Sequence, residues 1–160
     1  MEKTEIVYIK GDATAPVGDG QKLIIHVCNN VGAWGAGFVM ALSKKWKEPE
    51  EQYRTKKSYD LGTYELVRVE DDITVCNLIA QENIRSNINT LPPVRYVAIE
   101  TGLKELSKYL SMYDQHKHSI SIHMPMIGSG LAGGNWLIIE RIIELTLCDA
   151  GIPVTVYQFD

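Results

Sequence analysis

Cysteine is scarce in this 160-residue sequence: Cys28, Cys76 and Cys148 are the only three. They lie too far apart for a CxxC zinc or redox motif, and their odd number leaves no closed disulfide set. A reducing compartment is the simplest setting for such usage. Excess positive charge is also missing, with sixteen Lys and Arg against twenty Asp and Glu and a formal net charge of -4. That removes the basic footprint of a domain that binds nucleic acid by neutralising phosphates. No run of about 18 apolar residues offers a membrane span, and the amino terminus has no apolar core of a signal peptide. Repeats, low-complexity tracts and domain-dividing linkers are absent too. His116, His118 and His123 have no ligand-like partner set, so neither a metal nor a cofactor is expected. These absences leave a soluble, cytoplasmic protein, one domain over 1–160, expected to be a monomer without nucleic-acid or membrane partners.

What is present is an alternation of short apolar runs with helical periodicity. Strands are expected at Thr4 to Lys10, Leu23 to Cys28, Thr63 to Glu70, Thr74 to Ile79, Ser119 to Met124 and Val154 to Phe159, with Asp71-Asp72 as a hairpin turn. Leu23 to Cys28 is apolar enough to be buried on both faces. Helices are expected at Phe38 to Lys47, from Pro49 to about Lys57, and through Ile99, Leu103, Leu106 and Leu110. A last helix should be capped by Asn135, bury Ile138, Ile142 and Leu145, and stop at Gly151 and Pro153. The segment Ala80 to Pro93 reads as a loop. Strands interleaved with helices indicate an α/β protein with a mixed, mostly parallel sheet.

Two glycine-rich turns, Gly32-Ala-Trp-Gly-Ala-Gly37 and Gly128-Ser-Gly-Leu-Ala-Gly-Gly134, each join a strand to a helix. Glycine there permits positive φ and close approach of backbone N–H groups to an anion, and a helix start adds partial positive charge. Two such turns at the carboxyl ends of different strands suit two phosphates, or a phosphate and a ribose. Gly128-x-Gly130-x-x-Gly133 also matches the dinucleotide fingerprint, but only one strand remains after it, and Asp149, at about the right distance, falls at a helix end. An NAD-type reading is therefore the weaker alternative. The amide of Asn29 suits ribose hydroxyls or an Asx-turn, and Asp12 suits an exocyclic amine or a solvated turn. His26 and Cys28 share a strand face, as a base and nucleophile would, or as a core histidine beside an inert thiol would.

Together, Lys10-Gly11-Asp12, His26-Val-Cys-Asn29, Gly32-x-Trp34-Gly35-x-Gly37, Pro125-Met-Ile-Gly-Ser-Gly130 and Thr155-Val-Tyr-Gln158 resemble the macro domain, the ADP-ribose-binding family, over essentially the whole chain. The resemblance implies a three-layer α/β/α sandwich with a mixed, mostly parallel six-stranded sheet. It implies that Asp12, beside Gly11, holds the adenine amine and Asn29 the distal ribose. Gly32 and Trp34, Gly35, Ala36, Gly37 and Phe38 would wrap the distal ribose and one phosphate; Gly128, Ser129, Gly130 and Leu131 would wrap the diphosphate from the other side. Tyr157 or Phe159 would pack near adenine. Within the family the chain looks most like the small phosphatases of ADP-ribose 1″-phosphate, which implies a metal-independent hydrolase with His26 as acid or base. It departs from a related branch that uses a loop lysine and an aspartate, having Ala80-Gln81-Glu82-Asn83 and Ala132 there, and it has Ala33 where the phosphatases have serine. A non-catalytic ADP-ribose-binding module is the alternative.

Overall fold

The apolar runs pair into one sheet in the computed structural model, which describes residues 2–84, 92–114 and 120–159. Among the described residues the strands are β1 (Val7–Lys10), β2 (Gln21–Asn29), β3 (Tyr64–Glu70), β4 (Ile73–Gln81), β5 (Ile120–Pro125) and β6 (Val154–Gln158). Their spatial order is β1-β6-β5-β2-β4-β3. Every neighbouring pair is parallel except the hairpin β3–β4, whose turn is Asp71-Asp72 as expected. The helices are α1 (Phe38–Lys45), α2 (Glu48–Arg54), α3 (Tyr96–Asp114) and α4 (Trp136–Ile143), the last continued by a π-helical turn, Glu144–Cys148.

Alternation along the central strands divides the core into two layers. Leu23 and Ile25 of β2, Leu78 of β4 and Met124 of β5 pack with Ile99, Leu103, Ile139 and Ile143 from α3 and α4. On the opposite face Ile24, Cys28, Val75 and Ile79 pack with Trp34, Leu42, Trp46 and Tyr53 from the α1–α2 side. The result is the expected α/β/α sandwich, with β2 buried on both faces.

Several boundaries differ from the sequence reading, each for a local reason. β1 begins at Val7 because Thr4 bonds instead to the segment before β6, its N–H donating to the Cys148 carbonyl and its hydroxyl to that of Ile152. α1 ends at Lys45, where Trp46 turns extended, and Lys47 becomes the cap of α2. The buried stripe of α4 is Ile139, Ile143 and, within the π turn, Leu147, while Ile138 and Leu145 are exposed and Ile142 is half-buried. Both stripes satisfy a period near 3.6 residues, so periodicity alone cannot choose between them. The expected cap is present: Asn135 Oδ1 accepts from the Leu137 N–H. His116 and His118, Ser119 at the expected start of β5, and 85–91 of the expected loop lie outside the described residues.

Candidate functional site: a groove between two glycine turns

The chain leaves β2 toward one face of the sheet, through the turn to α1, and leaves β5 toward the other, through the turn to α4. Between these adjacent parallel strands is a topological switch point, where open α/β sheets form ligand crevices. A groove lies there in two adjoining compartments of about 340 and 380 Å³ that share Val27, Ala36, Val39 and Gln81. One compartment reaches Cys28, Asn29, Ala33, Trp34, Gly35 and Ile84. The other runs from Gly37 and Phe38 across to Pro125 through Gly130. A bulge opens the groove floor: Cys28 pairs with Ile79 but Asn29 with Gln81, so Ala80 is an extra residue in β4.

Glycines in both walls bring backbone to the groove, beside side chains that include Trp34, Phe38, Met126 and Ile127. Gly37 stands at the start of α1 with φ 79°, and neither a capping side chain nor an acidic first turn satisfies the first amides of that helix. Across the groove, Gly128 and Gly130 have φ of 73° and 65°, which re-aims successive N–H groups. That turn is rigid: Gly134 donates to the Gly128 carbonyl at 2.7 Å, and Ser129 Oγ donates to the Met126 carbonyl at 2.6 Å. A Cβ added at Gly35 or Gly130 would meet nothing within 4 Å, so both glycines border open space.

Asn29 is spent on its own loop. Its Oδ1 accepts from the N–H groups of Val31 and Ala33, both at 3.0 Å, and from the Tyr53 hydroxyl at 2.7 Å, while Nδ2 donates to the Ala33 carbonyl at 2.7 Å. The Asx-turn alternative thus describes its carbonyl, and one amide hydrogen remains for a ligand. Asp12 likewise turns its chain, Oδ1 accepting from the Thr14 N–H and hydroxyl at 2.8 Å each, which leaves Oδ2. Gly11 adjoins it with φ 157° and donates to the Gln158 carbonyl. The two closing aromatics differ in exposure. Tyr157 is buried, with its hydroxyl bonded to the Val17 N–H and His123, whereas Phe159 is 80% exposed at the end of β6 beside Gly11.

His26, given the acid or base role by the resemblance, lines the second compartment but has the surroundings of a core histidine. It is 2% exposed, its ring edge-on to Trp34 and against Phe38, and burial lowers its pKa to about 4. Asn77 Nδ2 donates to the Pro49 carbonyl and to Glu65, so Asn77 Oδ1 is the atom that accepts from His26 Nε2–H. A neutral imidazole with that proton engaged is a core histidine near neutral pH. Cys28, with Sγ 3.7 and 3.9 Å from the ring nitrogens, has its thiol pushed well above its ordinary pKa by burial and is inert. His123 is similarly lowered to about 4 by burial and Lys22. The Tyr157 hydroxyl, which accepts from Val17 N–H, bonds His123 Nδ1 at 2.7 Å, and Ser121 Oγ bonds Nε2 at 2.7 Å.

Residues outside the motifs complete the site. The one Tyr53 hydroxyl proton is shared between the Asn29 carbonyl at 2.6 Å and Asn29 Oδ1 at 2.7 Å, and its oxygen accepts from Gly32 N–H at 3.1 Å. Nothing marked Tyr53 in the sequence, because its partners are brought by the tertiary fold. Gln81, Val39 and Ile84 join the groove for the same reason.

No family model matches the chain. It is similar to a solved macrodomain protein from Streptomyces coelicolor, 41% identical, covering 96% of this chain and 98% of that one with a TM-score of 0.79. A likeness of that extent places the chain in a family: it belongs to the macrodomains. Among curated proteins it is 30% identical over 171 residues to the chromodomain-helicase-DNA-binding protein 1-like of Mus musculus, but it spans only 18% of that protein's length. It is 28% identical over 148 residues to the ADP-ribose 1″-phosphate phosphatase of Lodderomyces elongisporus, covering 87% of this chain and 91% of that protein.

Proposed function

We propose that the groove binds ADP-ribose and that the protein hydrolyses an ADP-ribose derivative, ADP-ribose 1″-phosphate first among them, as a single cytoplasmic domain. The observation that carries the reading is the pair of glycine turns facing one groove at the switch point, with the uncapped start of α1 between them. A diphosphate needs several converging N–H donors and no competing carboxylate, and that is what these walls offer. The likeness to the phosphatase of Lodderomyces elongisporus supports the choice of substrate. In the reaction, a water oxygen attacks the terminal phosphorus and the bond from phosphorus to the ribose oxygen breaks, releasing inorganic phosphate and ADP-ribose. Ala36, Gly37 and Phe38 amides on one side, and Gly128 to Leu131 amides on the other, stabilise the charge that develops on phosphate oxygens. Phe159 and Asp12 Oδ2 would receive adenine, and Asn29 Nδ2 the distal ribose.

Recognition without turnover is the second reading. It is favoured by one observation: among the described residues lining the groove there is no Lys, Arg, Asp or Glu, and His26 is neutral. Titration calorimetry with ADP-ribose, followed by a phosphate-release assay on ADP-ribose 1″-phosphate with and without a chelator, separates the cases. Binding with chelator-insensitive release is expected. Binding without release leaves a recognition module, and binding of NAD but not ADP-ribose returns the dinucleotide alternative.

A further inference from the structure

Trp34 is held at both ends by one closed circuit of hydrogen bonds. Its indole Nε1–H donates to Ser43 Oγ at 2.8 Å, and that hydroxyl donates to Glu50 Oε1 at 2.9 Å. Arg54 Nε donates to Glu50 Oε2 at 2.9 Å, and Arg54 Nη2 returns to the Trp34 carbonyl at 3.1 Å. A half-exposed i,i+4 pair on a helix contributes little by itself. Here the pair spans the gap between α2 and the loop, and it fixes both the ring and the peptide that precedes Gly35. The Glu50 carboxyl is held below its ordinary pKa, chiefly by Arg54 and then by Ser43, so it stays an acceptor throughout the neutral range.

We infer that Glu50 and Arg54, neither of which lines the groove, are positioning residues that hold the loop from Trp34 to Gly37 in its ligand-binding shape. The loop needs such support. Gly35 and Gly37 supply little conformational restraint of their own, and Gly35 has no neighbour within 4 Å of where a Cβ would be. Asn29 and Tyr53 secure the loop only as far as Ala33. Beyond that point, Trp34 joins the loop to the scaffold ahead of the amides proposed to meet phosphate, by packing on His26 and Tyr53 and through the circuit that fixes its indole N–H and its carbonyl. Holding donors in place before binding removes part of the ordering cost, so affinity depends on Glu50 and Arg54 although neither lines the groove.

The inference rests on the ADP-ribose reading for its ligand, but not for its structural readout. The test compares Glu50→Gln and Arg54→Lys with Glu70→Gln, which disturbs a chemically matched bond, Trp46 Nε1–H to Glu70 Oε2 at 2.9 Å, away from the loop. In the ligand-free protein, hydrogen exchange of the buried Trp34 indole Nε1–H should quicken about tenfold in the first two variants and stay unchanged in the third. ADP-ribose affinity should fall about tenfold in each of the first two, and the double variant should lose little more than either single one, because one circuit is being opened twice. Comparable melting temperatures among the three variants would separate positioning from general destabilisation. Unchanged exchange, or losses that multiply in the double variant, would overturn the inference. Wild-type protein that fails to bind ADP-ribose would overturn the functional reading and leave the exchange result to decide this one.

Discussion

His26 and Asn77 stand in register on the parallel strands β2 and β4 and share a buried hydrogen bond of 2.5 Å. Because the Asn77 amide donates twice elsewhere, this bond assigns the His26 proton to Nε2 and makes the ring part of the core. Replacing His26 by alanine should therefore cost about 2 to 5 kcal/mol of stability, through a cavity beside Trp34 and Phe38 and an orphaned Asn77 carbonyl. Nitrogen-15 spectra should show the neutral Nε2–H tautomer from pH 5.5 to 8. A variant that melts like wild type but releases no phosphate would restore His26 as a catalytic group.

Stability should fall on mild acidification. His26 and His123 both titrate near pH 4 when folded, against an ordinary value of 6.5. A folded pKa below the unfolded one means that the unfolded chain binds more protons between those values, so unfolding gains free energy as pH drops through that window. The slope should approach about 1.4 kcal/mol per pH unit for each histidine well inside the window, and flatten below the folded value. Chemical denaturation between pH 7 and 4.5 measures it, and His123→Gln should remove about half of the dependence that the pair creates. A flat profile would mean that neither ring is desolvated.

The contrast between these histidines and the glycine turns explains what was legible in the sequence. The strand segments, the two turns and the Asn135 cap depend on local patterns, and each was readable from spacing, whereas the spatial order of the strands was not. The state of His26 depends on Asn77, Pro49 and Glu65, which are distant in sequence and meet only across the sheet. Ligand-facing and self-satisfied roles of Asn29 look alike in sequence; Tyr53, arriving from α2, decides how its carbonyl is used. The α4 stripe was misplaced by one residue at Ile138 and Ile142 and by two at Leu145, because apolar side chains occupy both candidate faces, and packing against α3 and the sheet makes the choice.

Two glycines should separate binding from folding. A Cβ at Gly35 has open space, so Gly35→Ala should leave the melting temperature nearly unchanged while narrowing the groove and weakening ADP-ribose by about tenfold or more. A Cβ at Gly134 would lie 2.3 Å from the Gly128 carbonyl oxygen, a backbone atom that cannot rotate away. Gly134→Ala should therefore destabilise the protein by about 2 kcal/mol or more and distort the second turn. Thermal melts beside calorimetric titrations check both; a Gly35→Ala protein with wild-type affinity would place the ligand elsewhere.

The proposed adenine site offers the sharpest specificity test, because it rests on two side chains from opposite ends of the chain that lie outside the lining of the two groove compartments. Asp12 keeps Oδ2 while Oδ1 is committed to Thr14, and Phe159 is 80% exposed where β6 ends beside Gly11. A carboxylate oxygen accepts from an exocyclic amine but is repelled by a carbonyl in the same place. Asp12→Ala should accordingly weaken ADP-ribose by about 1 to 3 kcal/mol, and the inosine analogue should bind wild type less well than ADP-ribose. Phe159→Ala should cost about 1 to 3 kcal/mol through lost stacking, equally for both bases, since a ring face does not read the exocyclic group. In the Asp12→Ala protein the preference for adenine over hypoxanthine should vanish, whereas in Phe159→Ala it should survive at lower affinity. If Asp12→Ala keeps its preference, the carboxylate serves only the turn with Thr14, and adenine is read by other groups.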